Sequence, residues 1–254
     1  MKRLVGLLIA VSTVCLVAAC GGGAASTLVA KTSTPPAPTM KYKNTLSGLH
    51  ATAQVDLVQN VIDFAPTAAS VVHVHTTPNL GTVLQGQLTV KMAAGNKDAS
   101  AGQMLVEPVN VPLQAVNGGS AETTVVVAFV VPQGGKPTKA VAGQPAPALL
   151  NKTLFSATLS APAIGGSYSI VQQVLDFAPG TATPVHRHGG PGLVTVLQGE
   201  ITFSRDGLVR TFKAGDSFVE IPGDTFQASN TGSADAMVAA TFLLPDGAQL
   251  TTNV

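Results

Sequence analysis

Two short segments place pairs of histidines at a spacing that suits metal binding. They are His73-Val74-His75 and His186-Arg187-His188, and they contain four of the 5 histidines in the 254-residue chain. Alternate residues of a β-strand project from one face, so each pair would hold its Cα atoms about 7 Å apart on a shared face. Such a pair can chelate one metal ion. The alternative is that the histidines are simply packed and hydrogen-bonded.

The two pairs belong to an internal duplication. When the sequence is shifted by about 113 residues it aligns with itself without a gap, and roughly 33 of 81 residue pairs are identical. Segment 63–66 falls on 176–179, and 82–86 falls on 195–199. A stretch rich in Pro, Gly and Lys separates the copies. This pattern predicts two domains, at 41–135 and 152–250, joined by a linker at 136–151.

Short strands must position these histidines. In the second copy, segments 171–177, 193–203, 218–221 and 236–244 are rich in Val, Ile, Leu, Phe and Thr and are bounded by Gly, Pro, Asn and Asp. Asp206-Gly207 predicts a tight hairpin turn. No segment beyond the N-terminal apolar run has a helical period, so the predicted class is all-β. Short strands at this spacing are typical of sandwiches, barrels and jelly rolls.

Each copy resembles a cupin, a small β-barrel family whose first motif is G-x5-H-x-H-x3–4-E-x6-G. The second copy matches this motif at its spacing and follows the second cupin motif with one extra residue. The matching residues are Gly180, His186, His188, Gly199, Gly215, Pro222 and Asn230. The resemblance covers both repeats, and it implies two tandem cupin-type jelly-roll barrels, that is, a bicupin.

The resemblance also implies a metal site, from which both copies depart. Cupin sites usually combine the two histidines with the motif glutamate and a third histidine from the second motif. The glutamate position is occupied by Asn79 and Gly192, and the third histidine position is assigned to Gln114 and Gln227. A Gln amide oxygen is a poorer ligand than carboxylate or imidazole for Fe(II), Mn or Zn.

A glutamate could replace the missing carboxylate in each copy. If the turn is centred on 223–224, Glu220 lies opposite Gln227, and the same count places Glu107 opposite Gln114. Directly opposed side chains share a face, with Cβ atoms about 4.5–5.5 Å apart. The alternative is that each glutamate only hydrogen-bonds its glutamine or faces solvent. The expected ligands of a divalent Fe, Mn, Ni, Cu or Zn ion are His73, His75, Glu107 and Gln114, and His186, His188, Glu220 and Gln227.

The N-terminus resembles a bacterial lipoprotein signal. Lys2 and Arg3 precede an apolar run over residues 4–19, which ends in two alanines before Cys20. We expect a signal peptide at 1–19, lipidation of Cys20, a flexible tether at 20–40 and attachment to the bacterial cell envelope. An ordinary signal peptide with an incidental cysteine, or an uncleaved anchor, is the alternative.

Charge and composition limit the partners. The chain has 14 basic and 13 acidic residues and a net charge of +1, and only 4% of its residues are aromatic. These values indicate no nucleic-acid partner, because such proteins carry a basic surface. The expected partners are a small-molecule ligand and the membrane, through the lipid on Cys20; self-association stays open.

Two classes of function remain open from the sequence. The first is a metal-dependent, dioxygenase-like oxidoreductase, since cupin sites with two histidine ligands leave coordination positions for a substrate. The second is a non-catalytic cupin that binds a small molecule or sugar, or serves as a scaffold on the cell envelope. Loss of two expected ligands in each copy favours the second class.

Overall fold

The computed structural model describes residues 34–51, 53–161 and 164–254. Within these ranges the chain forms strands and no helix, which confirms the predicted all-β class. The expected signal peptide, Cys20 and most of the tether lie outside the described residues. In the described part of the chain, no helix has the length and apolar character needed to cross a membrane.

Twenty strands follow one another along these ranges, and their bounds repeat in the two copies. The first copy and the linker contain β1 Thr39–Ala51, β2 Val55–Phe64, β3 His73–His75, β4 Asn79–Gln85, β5 Gln87–Met92, β6 Lys97–Ser100, β7 Met104–Leu105, β8 Leu113–Val116, β9 Thr123–Pro132 and β10 Thr138–Ala140. The second copy contains β11 Lys152–Ala161, β12 Gly166–Phe177, β13 His186–His188, β14 Gly192–Gln198, β15 Glu200–Arg205, β16 Leu208–Lys213, β17 Ser217–Glu220, β18 Phe226–Ser229, β19 Ala236–Pro245 and β20 Thr251–Asn253.

Each barrel consists of two five-stranded sheets. In the first barrel the strand orders are β11-β2-β9-β4-β7 and β10-β3-β8-β5-β6. In the second they are β1-β12-β19-β14-β17 and β16-β15-β18-β13-β20. Alternate residues of the paired strands point inward, so each barrel has its own apolar core, with Phe64 and Val90 in the first and Phe177 and Ile201 in the second. The predicted pair of jelly-roll barrels is confirmed.

The two copies exchange their first strands. Strand β1 of the first copy pairs with β12 of the second, and β11 of the second copy pairs with β2 of the first. The exchange buries a shared core between the barrels, in which Leu57 and Ile170 are fully buried. Each barrel therefore takes one edge strand from the other repeat.

A polar cluster crosses the buried interface between the barrels. Gln59 Nε2 donates to Thr195 Oγ1 at 2.8 Å and to the Ala239 carbonyl at 3.3 Å, and Thr241 Oγ1 donates to Gln59 Oε1. The repeat-equivalent Gln172 makes a single side-chain bond, from Nε2 to Thr241 Oγ1 at 3.1 Å. Gln172 Oε1 is buried without a hydrogen-bond partner among the described residues. The two equivalent glutamines therefore differ in the number of hydrogen bonds that their side chains make.

A tight turn and a buried asparagine fix the ends of strands in the second barrel. Asp206 and Gly207 have φ values of 47° and 82° and join β15 to β16, which confirms the predicted tight turn. Asn230 is buried, and its Nδ2 donates to the Phe177 and Ala234 carbonyls, both at 2.8 Å. Its Oδ1 accepts a bond from the Gly232 amide at 2.9 Å. One side chain therefore ties the loop after β18 to the end of β12.

Candidate metal centre

Strand alternation places both histidines of each pair inside its barrel. In β13, His186 and His188 are buried, whereas Arg187 between them is exposed. Strand β3 repeats the pattern, with His73 and His75 buried. In the second barrel β13 is held on one side by β18 and on the other by the C-terminal strand β20.

Backbone carbonyls fix the tautomer of both histidines in the second barrel. His186 Nδ1 lies 2.8 Å from the Pro184 carbonyl, and His188 Nδ1 lies 2.8 Å from the Leu250 carbonyl. Because a carbonyl oxygen only accepts, each Nδ1 carries a proton, and each ring directs its Nε2 into the barrel, where the neutral form of the ring offers a lone pair. This is the common arrangement of a metal-binding histidine, whose other nitrogen donates to a carbonyl or carboxylate.

The two Nε2 atoms converge with a carboxylate. They lie 3.0 Å apart, and Glu220 Oε2 lies 3.1 Å from His188 Nε2. The ligand atoms of His186, His188 and Glu220 all lie within 4.8 Å of one another, and all three side chains are buried. Electron-rich atoms at such distances repel one another unless a proton or a metal cation lies between them. The donor set of two imidazoles and one carboxylate fits a divalent transition metal.

Glu220 reaches this cluster by a different strand pairing from the one expected. The predicted hairpin that places Glu220 opposite Gln227 is wrong, because β17 and β18 belong to different sheets. Glu220 pairs instead with Gly192 of β14, the position of the missing motif glutamate. A Cβ at Gly192 would collide with the ring of Phe242. The carboxylate therefore comes from the neighbouring strand and points into the same barrel.

The first barrel repeats the arrangement with one added contact. His73 Nε2 and His75 Nε2 lie 3.2 Å apart, and His75 Nε2 lies 2.8 Å from Glu107 Oε2. The added contact comes from Asn79, at the motif glutamate position, whose Nδ2 donates to Glu107 Oε2 at 2.6 Å. Asn79 Oδ1 also accepts the Glu107 backbone N–H at 2.9 Å. Asn79, at the motif glutamate position, therefore holds Glu107, the glutamate of the cluster, in place.

Burial and neighbouring charges set the protonation of these groups. Burial lowers the pKa of His186, an effect that the Pro184 carbonyl opposes and the His188 charge reinforces. Burial likewise lowers the pKa of His73. Burial alone would raise the pKa of Glu107, but hydrogen bonding to His75 and the charge of that ring bring it below its usual value. Neutral imidazoles beside an ionised carboxylate are the forms that bind a metal.

The structure does not bring Gln227 or Gln114 to the histidines. Gln227 Nε2 donates to the Thr183 carbonyl at 3.0 Å, and Gln114 Nε2 donates to the Ser70 carbonyl at 2.9 Å. Neither glutamine lines the cavity that contains its histidine pair. The residue opposite His186 is Phe226, one position earlier, which is buried and stacks on the His188 ring with centroids 6.0 Å apart.

Each cluster lies in the wall of a cavity. The first cavity has a volume of about 290 Å³ and contains His73, His75 and Glu107. The second has a volume of about 250 Å³ and contains His186, His188 and Glu220. Most of the remaining wall is apolar; it includes Leu88, Leu105, Val125 and Phe129 in the first cavity and Val194, Phe218, Val238 and Phe242 in the second.

Two contributors to the sites were not predicted from the sequence. Residues next to the exchanged strands line the cavity rims, Leu150 and Asn151 in the first cavity and Ala37 and Pro38 in the second. Phe242 was also missed, although its ring centroid lies 4.4 Å from that of His188. The sequence did contain a signal for Phe242, because the first copy has Phe129 at the equivalent position, and large identical side chains in both copies mark shared core positions.

Comparison with known proteins agrees with this architecture. The family description "Cupin" matches residues 44–161, and "Cupin domain" matches residues 173–242. A search of curated protein sequences gave no significant match.

Several solved structures share the fold at low sequence identity. AerE from Microcystis aeruginosa is 15% identical, with a TM-score of 0.51, over 83% of this chain and 99% of its own. A point mutant of oxalate decarboxylase from Bacillus subtilis is 12% identical, with a TM-score of 0.58, over 87% and 81%. A formate complex of Lactobacillus farciminis oxalate decarboxylase is 13% identical, with a TM-score of 0.58, over 85% and 89%. With a cupin match in each repeat and bicupin neighbours across both, the chain belongs to the cupin family as a two-barrel member.

Proposed function

We propose that this bicupin binds one divalent transition metal in each barrel and acts through it on a small organic molecule. The observation that carries the proposal is the convergence of the Nε2 atoms of His186 and His188 with the Glu220 carboxylate, all three side chains being buried. His73, His75 and Glu107 would hold the metal of the first barrel. Manganese is a reasonable candidate, because Mn(II) centres are described for the oxalate decarboxylase of Bacillus subtilis, which shares the fold.

The donor set favours chemistry at the metal. Two histidines and one carboxylate with open positions are typical of non-haem iron oxygenases. When bound, the metal supplies open coordination positions and, for Fe or Mn, redox chemistry. The chain's own residues bind that metal, fix the imidazole tautomers through the Pro184 and Leu250 carbonyls, and exclude water with an apolar wall. The reaction class that fits best is oxidation of a small substrate, as in dioxygenase-like cupins.

A non-catalytic binding module is the second candidate, and one observation favours it. Among the described residues that line the cavities, the two histidines and one glutamate of each cluster are the only acidic or imidazole groups. With all three engaged as ligands, each cavity has no further side chain of this kind for proton transfer. Oxygen consumption by the iron- or manganese-loaded chain in the presence of candidate substrates separates the two functions.

Metal analysis tests the binding proposal directly. We expect about two equivalents of a divalent metal per chain after reconstitution, and about one in His186→Ala/His188→Ala. Glu220→Gln is expected to weaken retention in the second barrel, because a neutral amide replaces the carboxylate. The matched control is Gln227→Ala, which should leave the stoichiometry unchanged. A chain that stays metal-free, or one in which Gln227→Ala is as damaging as Glu220→Gln, would contradict the proposed ligand set.

We also propose that the chain is exported and lipid-anchored at Cys20. The support is the order of basic residues, apolar run, small residues and cysteine at the N-terminus. Labelling of cells with radioactive palmitate should mark the wild-type chain and not Cys20→Ala. Cys15→Ala is the matched control, since that cysteine lies within the expected signal peptide and its loss should leave the label intact.

A further inference from the structure

The charge pattern of the cavity walls suggests what kind of molecule they accept. Among the described residues that line the two cavities there is no lysine or arginine, and the one carboxylate in each belongs to the metal cluster. Nearby lysines point elsewhere. Met40 lines the second cavity, but Lys41 next to it does not, and its Nζ lies 3.6 Å from Asp176 Oδ2. Lys152 lies between Asn151 and Thr153, which both line the first cavity, so it projects from the other face.

The charge of a loaded site then limits the ligand. A divalent ion with two neutral imidazoles and one carboxylate has a net charge of about +1, which one anionic donor would neutralise. A second anionic group on the ligand would meet no cationic side chain among the described lining residues, only apolar groups and a few neutral polar ones such as Gln173 and Asn253 in the second cavity. Burying an unpaired charge in such surroundings is strongly unfavourable. The cavity therefore suits one anionic group, directed at the metal.

The size of the cavities limits the rest of the molecule. Their volumes are about 290 and 250 Å³. An apolar cavity of about 150 Å³ holds benzene. Each cavity therefore accommodates about one ring with a short side chain. Phe242 and Phe129 offer aromatic surface beside the metal ligands, since their ring centroids lie 4.4 and 5.1 Å from those of His188 and His75.

We propose that each barrel selects a small amphipathic monoanion, with one carboxylate or phenolate oxygen on the metal and an apolar body of about one ring in the cavity. This inference rests on the proposed metal binding and adds the substrate class. It excludes dianions with a second charge at the far end of the molecule. It also disfavours neutral sugars, because apolar side chains form most of the wall and its neutral polar groups are few, namely Gln173, Thr183, Thr251 and Asn253 in the second cavity.

Ligand binding to the cobalt-loaded chain tests this inference. In His73→Ala/His75→Ala only the second site should carry Co(II), and its visible absorption reports binding of phenylacetate, acetate, phenylacetamide and 4-carboxyphenylacetate. We expect phenylacetate to bind at least about tenfold more tightly than acetate, because its ring is buried. We expect it to bind about tenfold more tightly than the neutral amide, and 4-carboxyphenylacetate to bind at least about thirtyfold more weakly than phenylacetate.

A variant at the cavity rim supplies the matched comparison. Met40 is 44% exposed at the mouth of the second cavity, so Met40→Arg can be accommodated and adds the missing cation. It should raise the affinity for 4-carboxyphenylacetate about tenfold, whereas Met40→Leu should not. If the loaded site binds the dianion or acetate as tightly as phenylacetate, the substrate class is overturned while the metal site stands. A chain that takes up no cobalt overturns the proposed function itself, and with it the metal-held anion.

Discussion

The two equivalent glutamines at the barrel interface should differ sharply in their contribution to stability. Gln59 makes three buried hydrogen bonds, whereas Gln172 makes one and leaves its Oε1 without a partner among the described residues. Both side chains are only 1% exposed, so burial does not distinguish them. Replacement of each by leucine removes the amide and keeps a side chain of similar size.

The expected cost follows from the bonds that are lost. For Gln59→Leu, three bonds at about 1 kcal/mol each amount to about 3 kcal/mol, of which the newly buried apolar atoms recover about 1 kcal/mol. Thr195 keeps a partner, because its Oγ1 lies 2.9 Å from Ser217 Oγ. For Gln172→Leu, the loss of one bond at about 1 kcal/mol is offset by removal of an unpaired buried oxygen that costs about 1–3 kcal/mol. We expect Gln59→Leu to destabilise the chain by about 2 kcal/mol, and Gln172→Leu to be neutral or stabilising.

Urea unfolding followed by far-UV circular dichroism measures both variants, since the chain contains no tryptophan for fluorescence. The comparison is internal, because the two positions share residue type, burial and repeat position. Equal losses for the two variants, or a larger loss for Gln172→Leu, would refute the hydrogen-bond argument. A changed dependence of the free energy on urea concentration would instead indicate a change in the compactness of the unfolded or folded state, or a loss of two-state unfolding.

Three further predictions concern turns, packing and ionisation. Asn230→Ala should lower the free energy of unfolding by about 2–4 kcal/mol in the same urea assay, because two carbonyls lose their donor and one amide its acceptor; an unchanged value would contradict this role. Gly192→Ala should lower the free energy of unfolding by about 1–3 kcal/mol, because the added Cβ would overlap the Phe242 ring. Gly81→Ala should lower it less, because its added Cβ would lie 3.4 Å from its nearest neighbour. A lower melting temperature for Gly81→Ala than for Gly192→Ala would contradict this. Burial raises the pKa of Tyr168, so the unfolded chain loses that proton first and stability should fall as the pH rises above about 10. Tyr168→Phe should flatten this alkaline loss in pH-dependent melting curves, and an unaltered slope would exclude Tyr168 as its source.

The histidine pairs and the fold class were predictable because they depend on local pattern. His-x-His within a short strand specifies one shared face whatever the tertiary partner is, and His186 and His188 are indeed buried on one face. The duplication reinforced the prediction, because two occurrences at equivalent positions are stronger evidence than one.

The other ligands depend on register, which the sequence alone does not determine. A shift of one residue in register exchanges the two faces of a strand. Gln227 was expected to face the cavity, but its neighbour Phe226 is the residue that stacks on His188, and Gln227 instead donates to the Thr183 carbonyl. Glu220 was identified through a pairing that does not exist. Glu220 lies in the cavity wall because it pairs with Gly192, which occupies the motif glutamate position, and directly paired residues project from the same face of a sheet.

The strand exchange was unpredictable for a different reason. Because the copies repeat the same pattern of apolar residues, the first strand of either copy would fit the edge of either barrel. Local propensity and apolar alternation are equal in the two topologies. Only the path of the chain between the copies, and the contacts across the shared core that includes Leu57 and Ile170, distinguish them.

The exchanged strands make the chain, in effect, a fused dimer. Cleavage between β10 and β11 would leave no self-sufficient half, because β2 and β12 would each lose the strand that covers their outer edge. The half that starts at β11 would carry the strand that its partner needs, and the reverse would also hold. Two such halves produced as separate chains are therefore expected to assemble with each other, and each half with a second copy of itself. The covalent link then serves to fix a one-to-one ratio of two barrels whose cavity walls are free to diverge.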